Sequence, residues 1–352
     1  MRIAQVAPLA EAVPPKLYGG TERVVSWLTE ELVAQGHDVT LFASGDSATS
    51  AKLVPCSSQG LRLAGIRDFI ASHIVMLDRV RRRADEFDVI HFHVDLLQFA
   101  AFQDLSHKCV TTLHGRLDLP DFIPVFEAFP QMPLVSISAS QRAPLPPNVN
   151  WLATVHHGLP GLCPYYPNGG DYLAFLGRIS PEKGPDRAIE IAKRSGMPLK
   201  IAAKVDKVDE PYFHGVIRPL LDHPLIEFIG EIGDHEKPAF LGNARALLFP
   251  IDWPEPFGLV VIEAMATGTP VIAWLHGSVP EIIAHGVSGI IVDSLDDAAR
   301  AVETIGRLSR AAVRADFESR FTAARMARDY VAAYRRLLAS CCSRTPRLVA
   351  AE

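Results

Sequence analysis

The sequence predicts an α/β protein built from two doubly wound parallel sheets. Three observations predict it. Apolar runs of strand length alternate with segments of helical period over residues 2–138 and again over 172–273. Between the two series, residues 158–170 hold seven Gly and Pro in thirteen positions, which reads as a linker. The chain has 352 residues, enough for two domains at roughly 100–200 residues each.

Residues 2–9 read as the first strand. Glu11 ends that apolar run, which is short for an export signal. Over 21–35, Val24, Val25, Leu28, Leu32 and Val33 recur at helical spacing, with Thr21 as a cap and Gly36 as a stop. A strand follows at 37–44. Residues 61–83 set Arg62, Arg67, Arg79, Arg81, Arg82 and Arg83 among Leu61, Ile66, Phe69, Ile70, Ile74, Val75 and Leu77. Three readings stay open there: a core-facing helix with a solvated basic end, a helix making peripheral contact with an anionic membrane, or one steering an anionic acceptor. Strands are expected at 88–94, 109–113 and 134–138. In the second series, strands at 172–177, 198–203, 226–229, 245–249 and 269–273 alternate with helices at 185–195, 235–242 and 257–267. Residues 298–308 and 317–339 also read as helical. The expected domains are 1–157 and 171–316, with 158–170 between them and 317–340 as a final helix. In open sheets of this kind, ligands sit beyond the carboxyl ends of the strands.

Composition narrows the function. With 48% hydrophobic and 21% charged residues, the chain is neither collagen, coiled coil nor wholly disordered. Residues 1–160 hold 13 Lys and Arg against 16 Asp and Glu, and the rest 22 against 24, so neither half is a basic nucleic-acid binder. No stretch of about 18 apolar residues is present to span a membrane. The five cysteines, Cys56, Cys109, Cys163, Cys341 and Cys342, form no CxxC pair, so a reducing cytoplasm is expected.

Four segments carry chemistry. The first is Asp252–Gly268, DWPEPFGLVVIEAMATG. Pro254 and Pro256 enforce an extended loop before an almost wholly apolar helix. Glu263 lies inside that helix, where a carboxylate needs hydrogen-bond partners: core groups on one reading, two ligand hydroxyls on the other. Glu255 precedes it by eight residues, about 12 Å of helical rise. A glycosidase acid/base pair needs its carboxyls roughly 5–9.5 Å apart, so Glu255 and Glu263 suit two ends of one long ligand instead. Between them, the amides of Gly258, Leu259 and Val260 at a helix start can bind phosphate. Hydroxyls, phosphates and hydroxyls in a row describe a nucleotide sugar. The second segment, Leu176–Asp186 (LGRISPEKGPD), puts Arg178 and Lys183 on a strand-to-helix loop; they are phosphate ligands or solvated surface cations. The third, PPKLYGGTERV, places Gly19 and Gly20 before a helix, where backbone can approach a ligand closely. The fourth, TTLHG, ends a strand on His114.

Together these segments resemble the family 4 retaining glycosyltransferases of the GT-B fold. The most specific part is the E-x7-E pattern from Glu255 to Glu263, followed by ATGTPVIA and GSVPEII; GRISPEKG, GGTERV, TLHG and DVIHFH also match. The resemblance covers most of the chain. It implies two Rossmann-like domains facing a cleft, with the last helix crossing back to the first domain. It implies that Arg178 and Lys183 neutralise the donor diphosphate, joined by Gly19–Gly20 and the amides of Gly258, Leu259 and Val260. Glu263 would hold the ribose hydroxyls, Glu255 and the amides at Phe257 the transferred sugar, and the turn Gly230–Ile232 the base. His114 would sit near the sugar's 6-position. The implied donor is a UDP- or GDP-hexose, a co-substrate; no cofactor and no metal are expected, and no D-x-D is present. The implied acceptor is a hydroxyl of unknown identity.

Two departures from the family pattern stand out. His156-His157-Gly158 replaces the usual Asn-Gly turn, and Ala203 replaces a glycine beside Lys204. Two rival readings are kept: a metal-dependent hydrolase using His91, His93 and Asp95 as HxHxD, and a non-catalytic nucleotide-sugar binder.

Overall fold

The computed structural model describes residues 1–16, 19–161 and 163–342, with side chains through Ser340. Leu17 and Tyr18 of the Gly19–Gly20 segment therefore lie outside the described residues, as do the side chains of Cys341 and Cys342. The chain divides into two compact units. One is Met1–Gly158 with the segment from Ala323 onward; the other is Leu159–Thr322.

In the first unit, β1 (Arg2–Val6), helix α1 (Gly20–Ala34), β2 (Asp38–Ser44), β3 (Lys52–Ser57) and α2 (Ile70–Arg82) come in turn. They are followed by β4 (Val89–Phe92), β5 (Cys109–Thr112), β6 (Leu134–Ser136) and β7 (Trp151–Thr154). Numbered helices have nine residues or more. The strands form one parallel sheet in the order β3-β2-β1-β4-β5-β6-β7. Its central strands β4 and β5 are buried at every position, which is why their sequences run apolar without alternation. The order reverses between β1 and β4, the switch point where such sheets bind ligands.

The second unit repeats the plan. It contains β8 (Leu173–Arg178), α3 (Pro185–Ser195), β9 (Leu199–Lys204), β10 (Ile226–Gly230), β11 (Ala246–Phe249) and α4 (Leu259–Thr267). Then come β12 (Val271–Trp274), β13 (Gly289–Val292), α5 (Leu295–Thr304) and α6 (Arg310–Arg320). The sheet order is β10-β9-β8-β11-β12-β13, all parallel, with its switch point between β8 and β11. A last helix, α7 (Ala323–Cys342), packs with α1 in the first unit.

Several expectations need correction. Strands β3, β7 and β13 were not expected. Residues 317–339 are not one helix: α6 ends at Arg320 and α7 starts at Ala323. Between them Phe321 is fully buried and its carbonyl accepts the Leu159 N–H at 2.9 Å, so the chain pairs there instead of continuing the helix. Residues 159–170 are not a free linker, since they cluster with the second unit. Arginines of α6 strap them down: Arg310 Nε donates to Tyr166 O at 2.7 Å and Arg314 Nη1 to Cys163 O at 2.8 Å. Over 61–83 only Ile70–Arg82 is helical; the chain before it turns, with Gly65 N donating to Arg62 O.

Candidate functional site

The chemistry-bearing residues of the second unit gather around its switch point. Arg178 is the last residue of β8, and the loop after the neighbouring strand β11 runs through Trp253 and Glu255 to α4. That loop is pinned from three sides. Asp252 N donates to Glu182 O at 2.8 Å, Arg187 Nε of α3 donates to Pro250 O at 2.7 Å, and Ser278 N donates to Glu255 O at 3.0 Å. The Ser278 hydroxyl donates to Phe257 O at 2.9 Å. Gly277 has φ 54°, and a Cβ there would lie 2.4 Å from both Glu255 N and O. The GSVPE turn is thus a backbone buttress for Glu255.

Lys183 and Glu255 form a direct ion pair, with side chains 21% and 12% exposed. Lys183 Nζ also lies 4.6 Å from the centre of the Trp253 ring. Arg178 is held differently. Its guanidinium sits 2.5 Å from Glu182, 3.5 Å from Asp209 and 3.8 Å from Asp206, while Lys204 pairs with Asp206 at 2.9 Å. Three cations therefore face four carboxylates. An incoming anion has to exchange with carboxylates already in place.

Helix α4 opens on Gly258, whose φ of 85° is left-handed, and no side chain caps it. Val261 N turns back to Gly258 O at 3.0 Å, and the amides before it, at Leu259 and Val260, are left to a ligand or solvent. The helix begins at Leu259, so Phe257 lies in the loop, buried against Phe321 at 6.2 Å between ring centres. Glu263 is buried in the second turn of α4. Ile232 lies in the loop after β10 and is half-buried.

In the first unit, Gly19 caps α1 and Gly20 opens it, beyond the end of β1. Glu22, in the first turn, is buried, and that burial pushes its carboxyl above the usual range. His114 follows β5. Its Nε2 is 2.9 Å from His93 Nδ1, and its ring stacks on His157 at 5.3 Å. Burial holds His114 down at about 3, and keeps His91, His93 and His157 well below the ordinary range for histidine. All four are neutral imidazoles at neutral pH.

The HxHxD segment does not make a metal centre. His91 uses both ring nitrogens on protein partners, Tyr334 Oη and Thr112 Oγ1, each at 2.7 Å. His93 uses both on Gln5 at 2.8 Å and His114 at 2.9 Å. No group of three metal-binding side chains occurs among the described residues. Gln5, Thr112, Tyr330 and Tyr334 were not singled out from the sequence. Neither were Asp206 and Asp209, which reach Arg178 from the turn after β9.

Comparison with known proteins gives the family and the fold. Residues 166–320 match the model of the glycosyl transferases group 1, and residues 18–134 match that of Glycosyltransferase Family 4. The chain is 26% identical to a glycogen synthase of Mycobacterium tuberculosis, with 92% of this chain and 93% of that one covered. It is also 26% identical to a phosphatidyl-myo-inositol mannosyltransferase of Mycolicibacterium smegmatis, covering 91% and 88%. Among solved structures, a sucrose-phosphate synthase from Thermosynechococcus elongatus superposes with a TM-score of 0.78 at 18% identity, covering 97% of this chain and 100% of that chain. An Anabaena protein solved in complex with UDP gives 0.72 at 16% identity, covering 96% and 100%. Two matching family models, full-length relatives and two parallel sheets of the GT-B kind converge: the chain belongs to the family 4, group 1 glycosyltransferases.

Proposed function

We propose that this protein transfers a hexosyl group from a UDP- or GDP-hexose to a hydroxyl acceptor, with retention and without a metal ion or other cofactor. One observation carries the reading most directly. A lysine–glutamate pair, an arginine and an uncapped helix start all follow the two neighbouring strands at the second sheet's switch point. Cations and amides aimed at one place suit a diphosphate. The relatives' names, a glycogen synthase and a mannosyltransferase, support a hexosyl donor. The Anabaena protein, also solved with UDP-glucose, supports a nucleotide carrier.

The roles follow from charge. Leaving-group departure makes an oxocarbenium-like sugar and a nucleoside diphosphate. Lys183 and the amides of Gly258, Leu259 and Val260 stabilise the growing negative charge on that diphosphate. Arg178 joins them by exchanging carboxylate for phosphate. Gly19 and Gly20 give backbone approach to the phosphates. Glu263 grips the ribose hydroxyls, Gly230–Ile232 holds the base, and Glu255 with the amide of Phe257 orients the sugar. His114 meets a sugar hydroxyl. A leaving phosphate oxygen takes the acceptor proton on the same face, so no protein base is needed. With cations in the metal's place, donor turnover is expected to persist in EDTA. The sugar first released from a UDP- or GDP-α-hexose is expected as the α anomer by proton NMR, before mutarotation. Loss of turnover restored by a divalent cation, or a β product, contradicts the mechanism.

The proposal extends to peripheral membrane contact through residues 61–83. Leu63, Ile66, Ile70, Ile74 and Val75 are all exposed there, the last three by half or more. Among the described residues, no helix is long and apolar enough to cross a membrane. Such contact rests on apolar side chains lying at a surface.

A further inference from the structure

Beneath the carboxyl ends of β1, β4 and β5 lies a continuous hydrogen-bonded chain of uncharged polar side chains. Gln5, His91, His93, Thr112, Tyr330 and Tyr334 are all buried. Each bond fixes the direction of the next. Gln5 Nε2 donates to Tyr334 Oη at 3.3 Å and approaches His91 Nδ1 at 3.4 Å. The Tyr334 hydroxyl then donates to His91 Nδ1 at 2.7 Å, and His91 Nε2–H donates to Thr112 Oγ1 at 2.7 Å. Thr112 and the Tyr330 hydroxyl close that branch at 2.9 Å. On its other side Gln5 offers Oε1, an acceptor only, 2.8 Å from His93 Nε2.

That contact decides the tautomer. His93 Nε2 must carry the proton to meet an oxygen, so its Nδ1 is left as the acceptor. His93 Nδ1 faces His114 Nε2 at 2.9 Å, so His114 Nε2 must donate. His114 Nδ1 then holds a lone pair. It is closed off from solvent and has no hydrogen-bond partner. A buried acceptor without a donor costs free energy until something supplies a hydrogen.

We propose that Gln5, acting through His93, holds His114 as its Nε2–H tautomer and so fixes His114 Nδ1 as a hydrogen-bond acceptor. Gln5 and His93 are positioning residues. The stack of His114 on His157 fixes the ring plane in which the lone pair lies.

The direct test is nitrogen NMR of histidine-labelled protein without ligand, the His114 signals being assigned by their loss in His114→Gln. The expected pattern is protonated Nε2 and unprotonated Nδ1. Gln5→Leu should mix the two tautomers, and Gln5→Glu should restore the pattern, since a carboxylate also accepts from His93 Nε2–H. A wild-type spectrum with Nδ1 protonated overturns the proposal whether or not the Gln5 variants fold. So does an unchanged spectrum in folded Gln5→Leu.

Discussion

Lys183 and Glu255 answer each other across a single ion pair, and neither is exposed by more than about a fifth. Such a pair holds both side chains in place until an anion competes for the lysine. Removing the lysine should therefore act on the charge that develops during reaction more than on donor binding. Lys183→Ala is expected to lower kcat about 100- to 1,000-fold, with a much smaller change in donor KM, in an assay of donor hydrolysis. A rise in KM at unchanged kcat would reassign Lys183 to ground-state binding. At this scale the sequence was readable where chemistry is dense along the chain: Glu255, Gly258 and Glu263 lie within nine consecutive residues. It was opaque where partners arrive from other strands. Asp206 and Asp209 follow β9, yet they hold Arg178 at the end of β8, because the two strands are paired Arg178 to Lys204. His93 was visible only as half of an HxHxD pattern, since its partners Gln5 and His114 come from β1 and the end of β5.

The elements divide by position in the sheet. Central strands such as β4, β5, β11 and β12 are buried throughout and stood out as apolar runs. The strands that did not stand out, β3, β7 and β13, all lie at sheet edges. Edge strands are half-exposed, so their composition is mixed; β3 even carries Pro55, which an edge tolerates. Helix α2 shows the same limit. Its inner face, His73, Met76, Leu77 and Val80, packs on the core, but Ile70 and Ile74 are exposed. The basic look of residues 61–83 is largely cancelled. Arg62 pairs with Glu11, Arg81 with Asp104, Arg82 with Asp78 and Arg83 with Glu86, all at 2.6–2.8 Å. Any vesicle binding through this segment should then depend on apolar side chains. In flotation assays, Ile70→Ser/Ile74→Ser should abolish binding, and 0.5 M salt should leave it largely intact. No flotation of the wild type with neutral or anionic vesicles would remove the membrane contact.

For the molecule as a whole, acid should undo the first unit before the second. His73, His91, His93, His114 and His157 all lie in that unit, and burial lowers each below the ordinary value. His73 shows the consequence in its bonds. Nδ1–H donates to Phe69 O at 2.7 Å while Nε2 accepts from Leu9 N–H at 3.1 Å, so protonation breaks the second bond. Each histidine is neutral when folded and takes up a proton when unfolded below about pH 6.5. Its contribution is therefore complete above that pH and is lost as pH falls toward the folded value. Each fully linked proton changes stability by about 1.4 kcal/mol per pH unit. Hydrogen exchange at pH 5 should show β1, β4 and β5 opening while β8, β11 and β12 stay protected. Equal loss in both units would contradict this.

A near-balanced chain, with 35 basic and 40 acidic residues, has no general attraction for anions. On the proposed function, donor recognition comes from the local grip at the switch point of the second sheet. The most direct measurement is thermal unfolding of wild type and Glu263→Ala with UDP, GDP and ADP and their hexoses. One nucleotide series should raise the wild-type Tm, corresponding to about 2.7 kcal/mol at a hundredfold excess over Kd, and Glu263→Ala should lose most of that shift. No shift with any of the three series, or the same shift in the variant, would contradict the assignment of this site.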